Sequence, residues 1–168
     1  MIGVAFTLVF VMAFILQTTL FRIFGSVAPD LILLTAVYCG LRFGKLSGVQ
    51  IGAFSGLLQD ALSYGLLGIN FLSKGLIGFL TGYLRDLNLL IGNSIVMWMI
   101  LIVFSTAIDV SLLLISLNSF YEAPMSIANL LWSITIQSIL NVAFGIPYFF
   151  FLDRLQEYLH KAFAIHKY

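Results

Sequence analysis

Charged residues are scarce in this chain of 168 residues, because Asp, Glu, Lys and Arg together make up 9% of it. An ordinary soluble domain has about 25%. The net charge is +1, and the basic residues form no cluster that could neutralise a row of phosphates, which argues against nucleic-acid binding. The single cysteine, Cys39, cannot form an internal disulfide. With 61% apolar residues and a mean hydropathy of +1.10, the composition excludes a water-soluble fold.

Residue types that carry catalysis or bind metals are also few. The two histidines, His160 and His166, lie near the C-terminal end, and no group of cysteines and histidines offers metal ligands. The GxSxG motif is absent, and an intramembrane hydrolase would need a serine or paired aspartates with a base. The sequence therefore predicts a protein that is not an enzyme and that holds no cofactor or metal.

Long apolar runs fill most of the chain and predict an all-α integral membrane protein with six transmembrane helices of about 20 residues each. The second run follows Pro29 and would reach only about 20 Å as a helix, against a hydrocarbon core of about 30 Å. Residues 61–68 join the third and fourth runs as a helical hairpin. The predicted spans are Ile2–Phe21, Leu31–Phe43, Leu46–Asp60, Ile69–Leu84, Ser94–Leu117 and Asn129–Leu152.

The end of the chain differs from the rest, so we divide it into a transmembrane domain, residues 1–152, and a tail, residues 153–168. Leu155, Tyr158 and Leu159 recur at helical spacing in this tail, which predicts an amphipathic helix on the membrane surface. A continuation of the sixth span is the alternative.

Basic residues predict the orientation, since cytoplasmic segments are enriched in Lys and Arg. With six spans and a cytoplasmic N-terminus, one basic residue, Arg22, lies outside. Most of the others then lie inside, and the C-terminus is cytoplasmic; five spans also place the C-terminus inside. The basic residues on the cytoplasmic side are Arg42, Lys45, Arg85, Arg154, Lys161 and Lys167.

Glycines recur every four residues from the second run into the third, and Gly75, Gly78 and Gly82 line the fourth. Glycine costs a helix about 1 kcal/mol relative to alanine, so such a row needs a compensating contact. In a membrane, small residues allow two helix backbones to approach closely. The row predicts either tight packing of the third and fourth spans or a groove for a partner's transmembrane helix. Its members are Gly40, Gly44, Gly48, Gly52 and Gly56.

Charged and polar residues interrupt the apolar runs and are candidate functional residues. An intramembrane charge costs about 2.5 to 3.5 kcal/mol, so Asp60 and Lys74, on either side of the short connection, could form an ion pair. Contact with a ligand or partner is the alternative. Asp109 lies inside the fifth span, and the sixth carries a polar stripe that includes Gln137 and Asn141. These residues predict an interhelical hydrogen-bond network or, as the alternative, a polar pocket or ion path centred on Asp109. The full stripe is Asn129, Ser133, Gln137, Asn141 and Gly145.

Several short motifs together resemble the rod shape-determining protein MreD family over about residues 1–155. They are Pro29-Asp30, Gly56-Leu57-Leu58-Gln59-Asp60, Gly68-Ile69-Asn70 and Gly78-x-x-x-Gly82-Tyr83. The resemblance implies six helices around a central cavity, a fold similar to the substrate-binding (S) subunits of energy-coupling-factor transporters.

The resemblance also implies a non-catalytic protein of the bacterial inner membrane that belongs to the cell-elongation machinery and helps regulate peptidoglycan synthesis. Its implied partners are MreC and, through MreC, the elongation transpeptidase and RodA, in a homo- or hetero-oligomer. We expect partner binding or helix packing at Gly48, Gly52, Gly56, Asp60, Gly68, Asn70, Lys74, Gly78 and Gly82. The alternative function is vitamin binding as a transporter subunit, with Asp109, Gln137, Asn141 and Asn70 in the pocket.

Overall fold

The computed structural model describes residues 11–17, 28–62, 66–87, 94–121 and 126–164, and within these ranges the chain forms six helices and no strand. The prediction of an all-helical protein is confirmed for these residues. The remainder of the predicted first span, Arg22, Tyr64 and residues 165–168 lie outside them. The helices are α1 (residues 11–17), α2 (Leu31–Phe43), α3 (Lys45–Leu62), α4 (Ile69–Asp86), α5 (Ile95–Tyr121) and α6 (Ile127–Ala164).

Among the described residues, two helices are long and apolar enough to cross a membrane by themselves. The qualifying segments are Ile95–Phe120 and Ile127–Tyr158, with mean hydropathies of 2.4 and 1.5. Helix α2 is apolar but has 13 residues, while α3 and α4 have 18 residues each and carry the glycines and the charged residues that lower their hydropathy. Length and composition therefore support two of the predicted spans directly. The other helices would need contacts with neighbouring helices to lie in a membrane.

Helix α2 forms the centre of the molecule and packs against α3, α4, α5 and α6. Its residues 31–40 are all buried. The aromatic ring of Tyr38 lies 5.5 Å from that of Phe149 on α6, which in turn lies 5.5 Å from Trp98 on α5. Because lipid is as apolar as these side chains, the core gains stability from close van der Waals contact and not from exclusion of water.

Gly44 separates α2 from α3. It adopts φ = 90°, a left-handed conformation that favours glycine, and its N–H donates to the carbonyl of Gly40 at 3.0 Å. The predicted row of glycines is therefore divided: Gly40 lies on α2, Gly44 lies between the helices, and Gly48, Gly52 and Gly56 follow on α3.

Helix α2, with 13 residues, covers about two thirds of the thickness of a hydrocarbon core, and its contacts with α6 locate both of its ends. Near its C-terminus, Arg42 forms two hydrogen bonds with the carboxylate of Asp153, at 2.5 and 3.0 Å. Just before its N-terminus, the N–H of Asp30 donates to Asn141 at 2.7 Å. These two points are about 18 Å apart along α6, so α2 begins near the middle of α6. The second predicted span is therefore a helix that is too short to cross a hydrocarbon core of about 30 Å.

Helix α6 continues through the predicted domain boundary at residue 152. It has 38 residues and contains Pro147, and at about 1.5 Å per residue it measures about 57 Å. This length exceeds a hydrocarbon core of about 30 Å, so a tilted or projecting helix is required. The surface location of residues 153–168 stays a prediction.

Candidate functional site

A buried lysine connects three helices at the depth where α2 begins. Lys74 has no exposed surface, and among the described residues it is the one buried lysine or arginine. Its Nζ lies 3.0 Å from a carboxylate oxygen of Asp30, 3.7 Å from one of Asp109 and 2.8 Å from the amide oxygen of Asn70. Lys74 therefore joins α4 to the start of α2 and to the middle of α5. We call Lys74, Asp30, Asp109 and Asn70 the lysine cluster.

Asp30 is the N-cap of α2 as well as the partner of Lys74. Its Oδ1 accepts a hydrogen bond from the N–H of Leu33 at 2.8 Å, which satisfies one of the free donors at the start of the helix. The partial positive charge of the helix N-terminus further stabilises the carboxylate. The negative charge of Asp30 is therefore compensated twice, by the ammonium of Lys74 and by the N-terminus of α2.

Side-chain amides from α1 and α6 hold the non-helical residues 28–30 that precede α2. Gln17 accepts from the N–H of Leu31 at 2.7 Å, Gln137 donates to the carbonyl of Ala28 at 2.5 Å, and Asn141 accepts from Asp30. Non-helical backbone inside a membrane is tolerated where protein groups satisfy its donors and acceptors. Two residues of the predicted polar stripe, Gln137 and Asn141, perform this task.

Asp109 extends the cluster to α5. The hydroxyl of Ser73 on α4 donates to its carboxylate. One turn earlier on α5, Thr106 accepts from the side-chain amide of Asn141 at 2.9 Å. The predicted polar residues of α5 and α6 therefore lie in a hydrogen-bond network that also includes α2 and α4.

Asp60 caps the start of α4. Its carboxylate accepts from the backbone N–H groups of Gly68, Asn70 and Phe71, at 2.9 to 3.2 Å, and from the side-chain amide of Asn70 at 2.9 Å. Gly68 supports this geometry with φ = 99°, the left-handed region. Asn70 also accepts from Lys74, so it bridges the two residues that the sequence analysis expected to pair.

The glycine row of α3 lies against the backbone of α4. A Cβ atom added at Gly48, Gly52 or Gly56 would overlap the backbone carbonyl of a residue on α4, and one added at Gly78 would overlap the carbonyl of Gly48. The carbonyls opposite the three α3 glycines belong to Gly78, Lys74 and Asn70, and Gly82 meets the backbone of Lys45. This is the first of the two interpretations, tight packing inside the chain, and it leaves no space for another helix in the row.

Asp30, the nearest charged partner of Lys74, was not predicted from the sequence. The signal was present, because a buried lysine requires a carboxylate and the described apolar segments contain few. Asp30 was missed because a complete second span would place it at the membrane surface. Ser73 and Gln17 were also missed, since nothing in the local pattern distinguishes them from other polar residues.

The polar residues of this site are bonded to each other and to the backbone. Asp109, Gln137, Asn141 and Asn70, the candidates for a ligand pocket, all make hydrogen bonds within the chain. Within the described ranges, no group of three His, Cys, Asp or Glu residues is arranged to hold a metal ion. The cluster can therefore fix helices relative to each other.

The family model described as rod shape-determining protein MreD matches residues 1–155. No curated protein and no solved structure matches the chain. The expected likeness to transporter subunits stays a prediction.

Proposed function

The chain belongs to the MreD family of rod shape-determining proteins, and from this premise we propose that it is a non-catalytic membrane scaffold that binds MreC in the bacterial cell-elongation machinery. The observation that carries the proposal is the family match, which covers α1 to α5 and α6 as far as Leu155. Through MreC, the scaffold influences the transpeptidase and RodA and so regulates peptidoglycan synthesis. In this proposal the chain crosses the inner membrane several times, with Arg42, Arg85 and both termini on the cytoplasmic side.

The partner's transmembrane helix lies, in this proposal, on the outward face of α4. The interior glycine row is occupied by α3 and α4 themselves, so a docking helix needs a different surface. Four large side chains on α4 point outward at spacings of four, three and four, which is the ridge that a second helix packs against. The rings of Phe79 and Tyr83 stack 5.9 Å apart at an interplanar angle of 12°. This docking ridge is Leu72, Leu76, Phe79 and Tyr83.

The end of the α3–α4 hairpin is the second proposed contact, with the part of MreC outside the cytoplasm. The four hydrogen bonds to Asp60 fix residues 68–71 at this end, so the surface is formed before a partner arrives. Leu67 is 76% exposed there. A preorganised surface loses less conformational entropy on binding than a flexible one.

The test is purification of the full-length tagged protein from native membranes, followed by mass spectrometry of bound proteins and small molecules together. We expect MreC to be recovered with it at a fixed ratio. Recovery of the intact protein without MreC would contradict the proposal, and a stoichiometric vitamin-like molecule would support the transporter-subunit alternative instead. A tagged membrane protein of similar size from the same cells controls for unspecific recovery.

A further inference from the structure

The buried part of the molecule contains more acidic than basic groups. Among the described residues, Asp30, Asp60 and Asp109 are buried carboxylates, with relative exposures of 7%, 1% and 8%, while Lys74 is the one buried ammonium. Each uncompensated charge inside a membrane is costly. The question is which of the three carboxylates is compensated least.

Two of the carboxylates are compensated by helix ends. Asp60 accepts three backbone N–H groups at the N-terminus of α4. Asp30 accepts the Leu33 N–H at the N-terminus of α2 and also holds the ammonium of Lys74 at 3.0 Å. Helix N-termini carry a partial positive charge that stabilises an anion.

Asp109 does not lie at a helix N-terminus, and its distance to the ammonium is longer than that of Asp30. It lies in the interior of α5, where backbone donors are used within the helix, and its distance to Lys74 is 3.7 Å. Its hydrogen bond from Ser73 comes from a neutral hydroxyl. Its side chain is 12% exposed, whereas that of Lys74 is fully enclosed.

We propose that Asp109 is a proton-binding site inside the membrane. A proton from water binds the Asp109 carboxylate and converts it to a neutral carboxylic acid, while Lys74 stays charged and paired with Asp30. The charged groups that face it are Lys74 on α4 and Asp30 on α2, with Asp60 of α3 linked through Asn70. Helix α6 contributes the uncharged Asn141, which contacts α5 at Thr106.

Proton binding at Asp109 changes how Lys74 is shared. With Asp109 neutral, Lys74 interacts with Asp30 alone, which ties α4 to α2. When Asp109 loses its proton, the two carboxylates compete for one ammonium, and the contact between α4 and α5 strengthens at the expense of α2. The site thereby links the position of three helices to the protonation of one group, independently of whether MreC is the partner.

The test uses a hydrophobic carbodiimide, which reacts with protonated carboxyl groups in apolar surroundings. Full-length protein in native membrane vesicles is treated at a series of pH values, and the modified residue is identified by mass spectrometry. We expect labelling at Asp109, decreasing as the pH rises, with Asp30 and Asp60 unlabelled. Labelling of Asp30 instead, or absence of labelling at Asp109 at every pH, would overturn the proposal.

Two variants make the test specific. In Asp30→Asn one ammonium faces Asp109 alone, so we expect loss of most of the labelling at Asp109. Asp86→Asn, which removes an exposed carboxylate near Lys45, should leave the labelling as in the unaltered protein. Equal labelling in Asp30→Asn and the unaltered protein would contradict the charge-sharing basis of the site.

A second measurement does not depend on the variants being folded. The infrared spectrum of the unaltered protein should contain the carbonyl stretch of a buried carboxylic acid, and this band should disappear as the pH rises. Absence of the band at low pH would overturn the proposal.

Discussion

The ammonium of Lys74 lies 3.0 Å from the carboxylate of Asp30, so a single ion pair attaches the start of the short helix α2 to α4. The same carboxylate caps α2, and the same lysine contacts Asp109 of α5. Removal of one partner leaves a buried charge with less compensation, and this consequence can be measured.

Lys74→Met should destabilise the protein strongly. Breaking a buried ion pair by removing one partner costs about 3 to 5 kcal/mol, since the remaining charge stays buried. The melting temperature in detergent is the measurement. Lys45→Met is the matched control, because Lys45 is exposed and lies 3.9 Å from Asp86, a pair whose loss costs about 1 kcal/mol or less. Equal melting temperatures for the two variants would contradict the role of the lysine cluster.

Gly52→Leu and Gly56→Leu should each reduce the amount of folded protein, and not only its association with MreC. The new side chains would overlap the backbone carbonyls of Lys74 and Asn70, so α3 and α4 would have to separate. Gly75→Ala is the milder comparison, because its Cβ would lie 3.3 Å from the Cβ of Ala53 and would overlap no backbone carbonyl. Chromatography of detergent extracts measures the folded fraction. Wild-type yields for both leucine variants would show that the helices are not in backbone contact.

Asp60→Ala should loosen the start of α4 without separating the rest of the hairpin. Four donors lose their acceptor, and loss of a helix cap costs about 0.5 to 2 kcal/mol. Hydrogen exchange at the amides of Gly68, Asn70 and Phe71 should become faster. Exchange in the second half of α4, near Tyr83, serves as the internal reference and should not change. Unchanged exchange at all three amides would contradict the capping role.

Asn141→Leu should destabilise the start of α2. It leaves the buried N–H of Asp30 and the hydroxyl of Thr106 without their amide partner, and an unsatisfied buried polar group costs about 1 to 3 kcal/mol. Asn129→Leu, the same substitution three turns earlier on α6 at an exposed position, should have little effect. Thermal unfolding measures the difference in melting temperature between the two variants. Equal melting temperatures would show that α6 does not hold residues 28–30 before α2.

Much of the helical framework could be predicted from the sequence. Apolar runs predicted the positions of α2 to α5 to within a few residues, because a buried or lipid-facing helix needs a continuous apolar surface. The glycine spacing predicted a close backbone approach, and the contacts of Gly48, Gly52 and Gly56 with α4 have this form. The family motifs predicted the MreD assignment, which the family match confirms.

The depth of α2 and the partner of Lys74 could not be predicted in the same way. Periodicity tells which face of a helix is buried, but it does not tell how far along a neighbouring helix the contact occurs. Asp60 was nearer to Lys74 in sequence, yet its carboxylate is occupied by the backbone of α4, and Asp30 became a partner only because α2 begins near the middle of α6. That relation depends on three helices at once.

The docking ridge gives the most direct test of the proposed scaffold function. Phe79 on α4 and Phe144 on α6 are both 40% exposed, so alanine substitutions at the two positions remove the same side chain from equally exposed surfaces. The measurement is the amount of MreC recovered per molecule of each full-length variant from native membranes. We predict that Phe79→Ala recovers clearly less MreC than Phe144→Ala, with both variants present in the membrane at similar levels. Equal recovery of MreC by the two variants would contradict the proposal that MreC binds the docking ridge.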